Sequence, residues 1–406
     1  MKKIVLSTLA ALSIATVASA GDVKFYSDAN GQVYTTAGEG RTEIKTPTPV
    51  FAKASKLEFS GLHYLGYTYK STDDLKASDV TATGLTPPAS DLKGTGTGKF
   101  EMRRNYVQVK AHFFDDPKSY ARVTMDMTNV SGYNTVIVKY AYLYLNEVLP
   151  FTGVEFGQVH RPWIDYEEHN GWFYRSISKT MTEAGETADL SNSADLGVNF
   201  KTKTEYFTSE IGLFNGEGYH GDSTSNTGTG NSLEWRLTAA VLGGGKKHRH
   251  ATKDTWLDAS FWGQYNMKNG SNTDANGDTQ SYKIYGLHAV YNMPSFLLSA
   301  QYIKAENDNK DTYNKNGNGY SVNGTVRLGS DNEYEVLARY DHWTAEKDNN
   351  DNLNRDNYIY GVAWAQNKNL KWLLTGQTSK NIDHGNQKGV VTQDYNAAML
   401  TAEVKW

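Results

Sequence analysis

Arg104, Lys110 and Arg122 share one parity in two alternating stretches, Phe100–Phe113 and Tyr120–Asn129, while Val107, Val109, Val123 and Met125 hold the other. If both stretches are strands, the three cations point to one face and the aliphatic side chains to the opposite one. Further along, the stretch Arg161–Ser193 does not alternate. It carries Asp165, Glu167, Glu168, Glu183, Glu186 and Asp189 against Arg161, Arg175 and Lys179. A basic wall facing an acidic segment across water sets up a transverse field, as rings of charge do in selective passages. Other chemistry finds little support. No Gly-x-Ser-x-Gly, His-Glu-x-x-His or phosphate-loop motif occurs, so no catalytic constellation is expected. His248 and His250, within Lys246–His250, could ligate a metal, but no carboxylate stands beside them, and a solvated turn is the better reading. Asp274–Asp278 begins like a calcium loop, yet its glycine is misplaced and the closing glutamate is missing. Neither a metal nor a cofactor is expected.

The elements that must position these charges are strands. From Leu57 to Trp406, apolar and polar residues alternate in about sixteen stretches of roughly ten residues. In Asn231–Leu242, Leu233, Trp235, Leu237, Ala239 and Val241 share one face, opposite Glu234, Arg236 and Thr238. A charged second face on nearly every strand fits a water-filled interior better than a dry sandwich core. Connections alternate between short, as at Met293–Ser295, and long, as at Asn215–Gly230. The reading is an all-β transmembrane antiparallel barrel over residues 55–406. Phe113-Phe114, Phe261-Trp262 and Trp406 are expected in its interfacial girdles. Within Arg161–Ser193, Trp163, Trp172, Phe173 and Tyr174 are expected to anchor the segment against the inner wall. So much apolar surface does not suit a disordered tail.

Ahead of the barrel, Met1-Lys2-Lys3, the apolar run Ile4–Val17 and Ala18-Ser19-Ala20 read as a cleaved signal peptide, residues 1–20. Residues 21–54 read as a periplasmic hairpin, turning at Asp28–Gly31, followed by a proline-containing linker. There is no cysteine, which excludes a disulfide scaffold. Lys and Arg number 41 against 45 Asp and Glu, which argues against a nucleic-acid partner.

Between Phe100 and Gly218 the order of short motifs becomes specific: Arg103-Arg104-Asn105-Tyr106, Tyr140-Ala141-Tyr142-Leu143, Glu155-Phe156-Gly157-Gln158, Trp172-Phe173-Tyr174-Arg175, Asp195-Leu196-Gly197-Val198 and Gly212–Gly218. This order resembles the phosphate-selective porins of the O and P type, and the whole chain is similar to porins of epsilon-class proteobacteria. The resemblance implies a homotrimeric sixteen-stranded outer-membrane channel, with the third long loop folded inward. It implies a Gram-negative outer membrane with its lipid and lipopolysaccharide, and small hydrophilic solutes and ions as cargo; separately, the terminal aromatic after an alternating strand, Tyr395–Trp406, resembles the signal that outer-membrane assembly machinery reads. Arg104, Lys110, Arg122, Arg161, Asp165, Glu167, Glu168, Arg175 and Lys179 are the residues expected at the constriction. Because acidic and basic residues interleave on the inward faces, weak net selectivity is expected. A phosphate- or anion-selective passage and a non-conducting structural or adhesin-type barrel are the alternatives.

Overall fold

In this computed structural model the described residues are 26–28, 32–43, 54–80, 85–87, 92–130, 133–219, 230–244, 249–268, 274, 276–347, 351–386 and 388–406. The expected signal peptide, residues 1–20, and the run Lys246–His248 lie outside them. The chain divides into two units, Met1–Ala54 and Ser55–Trp406. In the first, β1 (Tyr26–Ser27) pairs antiparallel with both β2 (Val33–Tyr34) and β3 (Thr42–Glu43). The β1–β2 pair falls where the hairpin is read, and β3 lies in the stretch read as linker.

The second unit is one closed antiparallel barrel of sixteen strands. In order these are β4 (Lys56–Thr72), β5 (Gly96–His112), β6 (Tyr120–Val130), β7 (Tyr133–Leu149), β8 (Thr152–His160), β9 (Ala194–Lys203), β10 (Phe207–Phe214) and β11 (Ser232–Leu242). They continue as β12 (Trp256–Asn266), β13 (Tyr282–Met293), β14 (Phe296–Asn307), β15 (Gly317–Leu328), β16 (Tyr334–Lys347), β17 (Asp351–Ala365), β18 (Leu370–Asn381) and β19 (Tyr395–Lys405). Each strand pairs with its sequence neighbour, and β19 closes on β4. At the seam Trp406 and Gly61 exchange backbone hydrogen bonds of 2.9 and 3.1 Å. Closure leaves no unpaired edge, the condition for a sheet with an apolar exterior.

The period-2 pattern becomes an inside and an outside. On β13, Tyr282, Ile284, His288 and Val290 are buried inward, while Tyr285, Leu287 and Ala289 are exposed on the outer wall. Phe261 faces outward as expected of a girdle, but its neighbour Trp262 does not. Consecutive strand residues alternate, so Trp262 is turned inward and buried.

Among the described residues the register shifts in β5, in β11 and twice in β7, and two of these shifts re-aim lumen residues. Tyr64 pairs with Arg104 and Leu65 with Met102, so Arg103 is the extra residue of β5. Thr124 pairs with Tyr140 and Met125 with Val138, so Lys139 is the extra residue of β7. An inserted residue re-aims its neighbours. Side by side, Arg103 and Arg104 both reach lumen partners, as do Lys139 and Tyr140. Residues 161–193 join β8 to β9 and form the third connection at the end of the barrel that carries the longer ones.

Candidate functional site

The segment 161–193 lies within the barrel, and its own sequence explains how it starts. Arg161 is extended (φ −81°, ψ 140°) and Pro162 opens α1 (Pro162–Asn170) from the first helical position. Proline fits there because that turn needs no amide hydrogen and its φ is preset. Asp165 in the first turn complements the positive helix end. The helix stops at Gly171, whose amide donates to the Glu167 carbonyl at 2.8 Å. No strand alternation could cover these residues, since the apolar spacing is helical.

One side of the segment docks on the wall. Trp163 stacks on Trp262 with ring centroids 4.7 Å apart and planes 5° from parallel, and meets His288 edge-on at 5.0 Å. Ile164, Met181 and Leu190 join the same cluster with Ile284, Ile303, Trp343 and Leu353. Trp172, Tyr174 and Ile177 pack on Leu337, Ile359, Leu373 and Met399. Phe173 meets Trp256, Val290 and Leu297. All four expected anchors therefore contact the inner surface between β12 and β19.

Wall arginines then stitch the segment's backbone in place. Arg236 donates to the Pro162 carbonyl (3.2 Å), Arg339 to that of Lys179 (2.7 Å) and Arg103 to that of Ser176 (3.0 Å). Arg355 donates to the carbonyls of Thr187 and Gly185, each at 2.9 Å. Tyr166 donates to Asp258 (2.8 Å) and Tyr174 to Glu335 (3.1 Å). These contacts satisfy loop carbonyls that would otherwise be buried without partners.

Apart from the Arg103 bond from β5 and the Arg161–Asp195 pair with β9, the opposite side of the segment borders open space before β5–β9. A hollow of about 230 Å³ is lined by Tyr64, Tyr106, Arg122, Lys139, Tyr140, His160 and, from the segment, Asp165, Glu168 and Arg175. A second, of about 510 Å³, is lined by Tyr120, Tyr144, Glu155, Lys201, Arg236 and again Asp165. Asp165 and His169 border both.

The expected site residues separate into three groups. Arg104, Lys110 and Arg122 stand on the wall. Arg104 pairs with Asp126 at 3.2 Å, Lys110 lies 4.8 Å above the Tyr120 ring, and Arg122 donates to the Tyr142 hydroxyl at 3.0 Å. Asp165 faces them, 3.7 Å from His160 and 3.9 Å from Lys201. Glu168, Arg175 and Lys179 form a cluster within the segment: Arg175 pairs with Glu168 and, at 2.7 Å, with Glu183, which Lys179 meets at 3.1 Å. Arg161 and Glu167 point elsewhere. Arg161 is buried against Asp195 (2.7 Å) and Glu234 (3.5 Å). Glu167 is buried on the docked side and accepts from Gln301 at 2.6 Å. Burial pushes its carboxyl up to about 7.

Among the wall cations, most are compensated. Lys201 meets Glu155 and Glu210, Arg236 meets Glu210, Arg249 meets Asp258, and Lys371 meets Glu335. Lys110, Arg122 and Lys139 have no carboxylate partner among the described residues. Lys139 was missed by parity because it occupies a bulge. The tyrosines around it were visible only as composition.

Comparison with solved structures matches this architecture. The barrel is similar to the anion-selective porin from Comamonas acidovorans (TM-score 0.57, 13% identity, 86% of this chain and 99% of that one). It is also similar to Salmonella typhi OmpF in complex with daunomycin (0.56, 12%, 88% and 99%) and to the trimer form of Vibrio cholerae OmpT (0.55, 13%, 87% and 100%). No family model matches the chain, and no curated protein does. The class is thus a sixteen-stranded barrel with the fold of outer-membrane porins. Within that class, the phosphate-selective O and P likeness rests on the short motifs alone.

Proposed function

We propose that this chain is an outer-membrane porin, a passive route for small hydrophilic solutes and ions that narrows between residues 161–193 and the β5–β9 wall. The observation that carries the reading is the one-sided docking of the segment. Its apolar side chains pack on β12–β19, with hydrogen bonds from that wall and from Arg103 and Arg236, while Asp165 lies 3.9 Å from Lys201 and borders the hollow that Arg122 lines. An apolar exterior around a charged interior belongs in a bilayer, where a charge on the lipid face costs about 2–4 kcal/mol. The reading includes export by a cleaved signal peptide, contact with lipid and lipopolysaccharide, assembly through Tyr395–Trp406 and a homotrimer. It assigns both barrel ends, Lys56 and Lys405, to the periplasmic side.

The proposal is tested by reconstituting the purified protein in a planar bilayer. Discrete conductance steps are expected, and deleting Glu167–Glu186 should enlarge them while the barrel still assembles. Absence of steps from folded protein would favour a structural or adhesin barrel. Unchanged steps after the deletion would refute the constriction.

A second reading, anion preference, is favoured by Lys110, Arg122 and Lys139. Counting all inward charges leaves a near balance and weak selectivity. Once compensated pairs are set aside, the charge that remains on this wall is positive.

A further inference from the structure

We infer that the wall of β5–β7 holds a binding site for small carboxylates with a flat aromatic body, an inference that rests on the channel reading above. Lys110 and Arg122 are directly opposed in register, and the bulge at Lys139 adds a third cation beside them. Each is held by tyrosine instead of a carboxylate. Lys139 donates to the Tyr106 hydroxyl at 2.8 Å and lies 4.8 and 5.4 Å from the Tyr106 and Tyr140 ring centroids. The Arg122 guanidinium lies 4.9 Å from the Tyr140 centroid and donates to Tyr142. The 230 Å³ hollow opens onto Arg122 and Lys139 with Tyr106 and Tyr140, and Asp165 and Glu168 border it from the segment.

The chemistry of the lining selects the ligand. A strongly hydrated inorganic anion is released from water only by many N–H donors converging on it, as bidentate arginines provide. Of the cations lining the hollow, Arg175 is tied to Glu168 and Glu183, which leaves one guanidinium, Arg122, and one ammonium, Lys139, interleaved with ring faces on the wall, so the density of free donors is low. A carboxylate can take its place between Arg122 and Lys139 while an attached ring stacks on Tyr106 or Tyr140, offset as aromatic pairs prefer. The cations offset the repulsion that a bare ring face would exert on an anion.

The test uses the full-length protein in planar bilayers in potassium chloride, with potassium benzoate as probe and acetate and inorganic phosphate as comparisons. Benzoate should reduce chloride current saturably, at concentrations where acetate and phosphate do not. Lys139→Met should raise the half-blocking concentration about tenfold, the loss of one charge-assisted contact. Tyr140→Leu should weaken benzoate block and leave the response to acetate unchanged. Heat-shifted gel mobility reports folding of each variant, and Arg122→Met replaces Lys139→Met if the latter does not fold. Equal block by all three anions, stronger block by phosphate, or no effect of the folded variants would overturn the site while conductance upholds the channel. Loss of conductance steps in folded wild-type protein would overturn both.

Discussion

Trp163→Ala isolates what holds the segment to the wall. The indole is buried, stacks on Trp262 at 4.7 Å and meets His288 edge-on. Truncating a buried Trp costs about 3–5 kcal/mol, of which the aromatic pairing supplies roughly 0.5–1.5 kcal/mol. None of that cost falls on the barrel's strand ladder, because every strand keeps both neighbours. It falls on the equilibrium between docked and released segment. At about 1.4 kcal/mol per tenfold, release should become roughly 10²–10³ times more frequent. The remaining latches, Arg236 on Pro162 and Arg339 on Lys179, keep the docked state dominant. Single-channel recording is therefore expected to show the wild-type main level with added brief excursions to a larger conductance. Trp163→Phe, which preserves a ring against Trp262, should suppress most of them. Wild-type recordings from a Trp163→Ala protein of native gel mobility would refute the claim that this stack holds the segment.

Arg355→Met should act in the same direction. It strips the Thr187 and Gly185 carbonyls of a charged donor worth about 1.5–3 kcal/mol per bond, read as increased protease cleavage within 161–193. Glu167→Gln should abolish a pH dependence. A carboxyl raised to about 7 from an ordinary value near 4.5 binds its proton more tightly when docked, so docking weakens as pH rises through that interval. Wild-type excursions should be more frequent at pH 8 than at pH 5, whereas Glu167→Gln should match the pH 5 behaviour at both and leave ion selectivity unchanged. Gly61→Val tests the seam. A Cβ there would lie 2.4 Å from the Trp406 indole, so the ring must leave its 3.1 Å bond to His63, and the yield of folded barrel in detergent should fall. A normal yield would show that Trp406 does not secure closure.

Why the barrel was legible and half the site was not follows from one property of strands. Alternation fixes the face of every residue as long as the count is unbroken, so the sequence alone places Arg104, Lys110 and Arg122 inside. A bulge breaks the count without changing composition, and the bulges in β5 and at the middle of β7 each insert a cation. Arg103 became a latch on the segment and Lys139 the centre of the tyrosine-lined wall, and neither follows from parity. The docking side was legible in principle. Inward positions on β12–β18 include Trp262, Ile284, Ile303, Leu337 and Ile359, apolar residues on the face that elsewhere carries charge. A lumen filled only with water would not retain them there, because leaving each exposed forfeits roughly 1.5–3 kcal/mol. Large aliphatic and indole side chains at inward positions thus mark where the inward segment lies, and the inner wall whose own apolar cluster, Tyr140, Tyr142 and Val159, takes no residue from the segment marks the passage. Glu167 illustrates the same logic at one residue. Three acids in a helical stretch cannot all face one way, and at 100° per residue Glu167 and Glu168 diverge. Glu168 reaches Arg175 beside the hollow, while Glu167 is carried onto the docked face with Trp163 and Gln301. Reading the stretch as an undifferentiated acidic loop concealed that divergence, whereas reading Pro162 as a helix start would have exposed it.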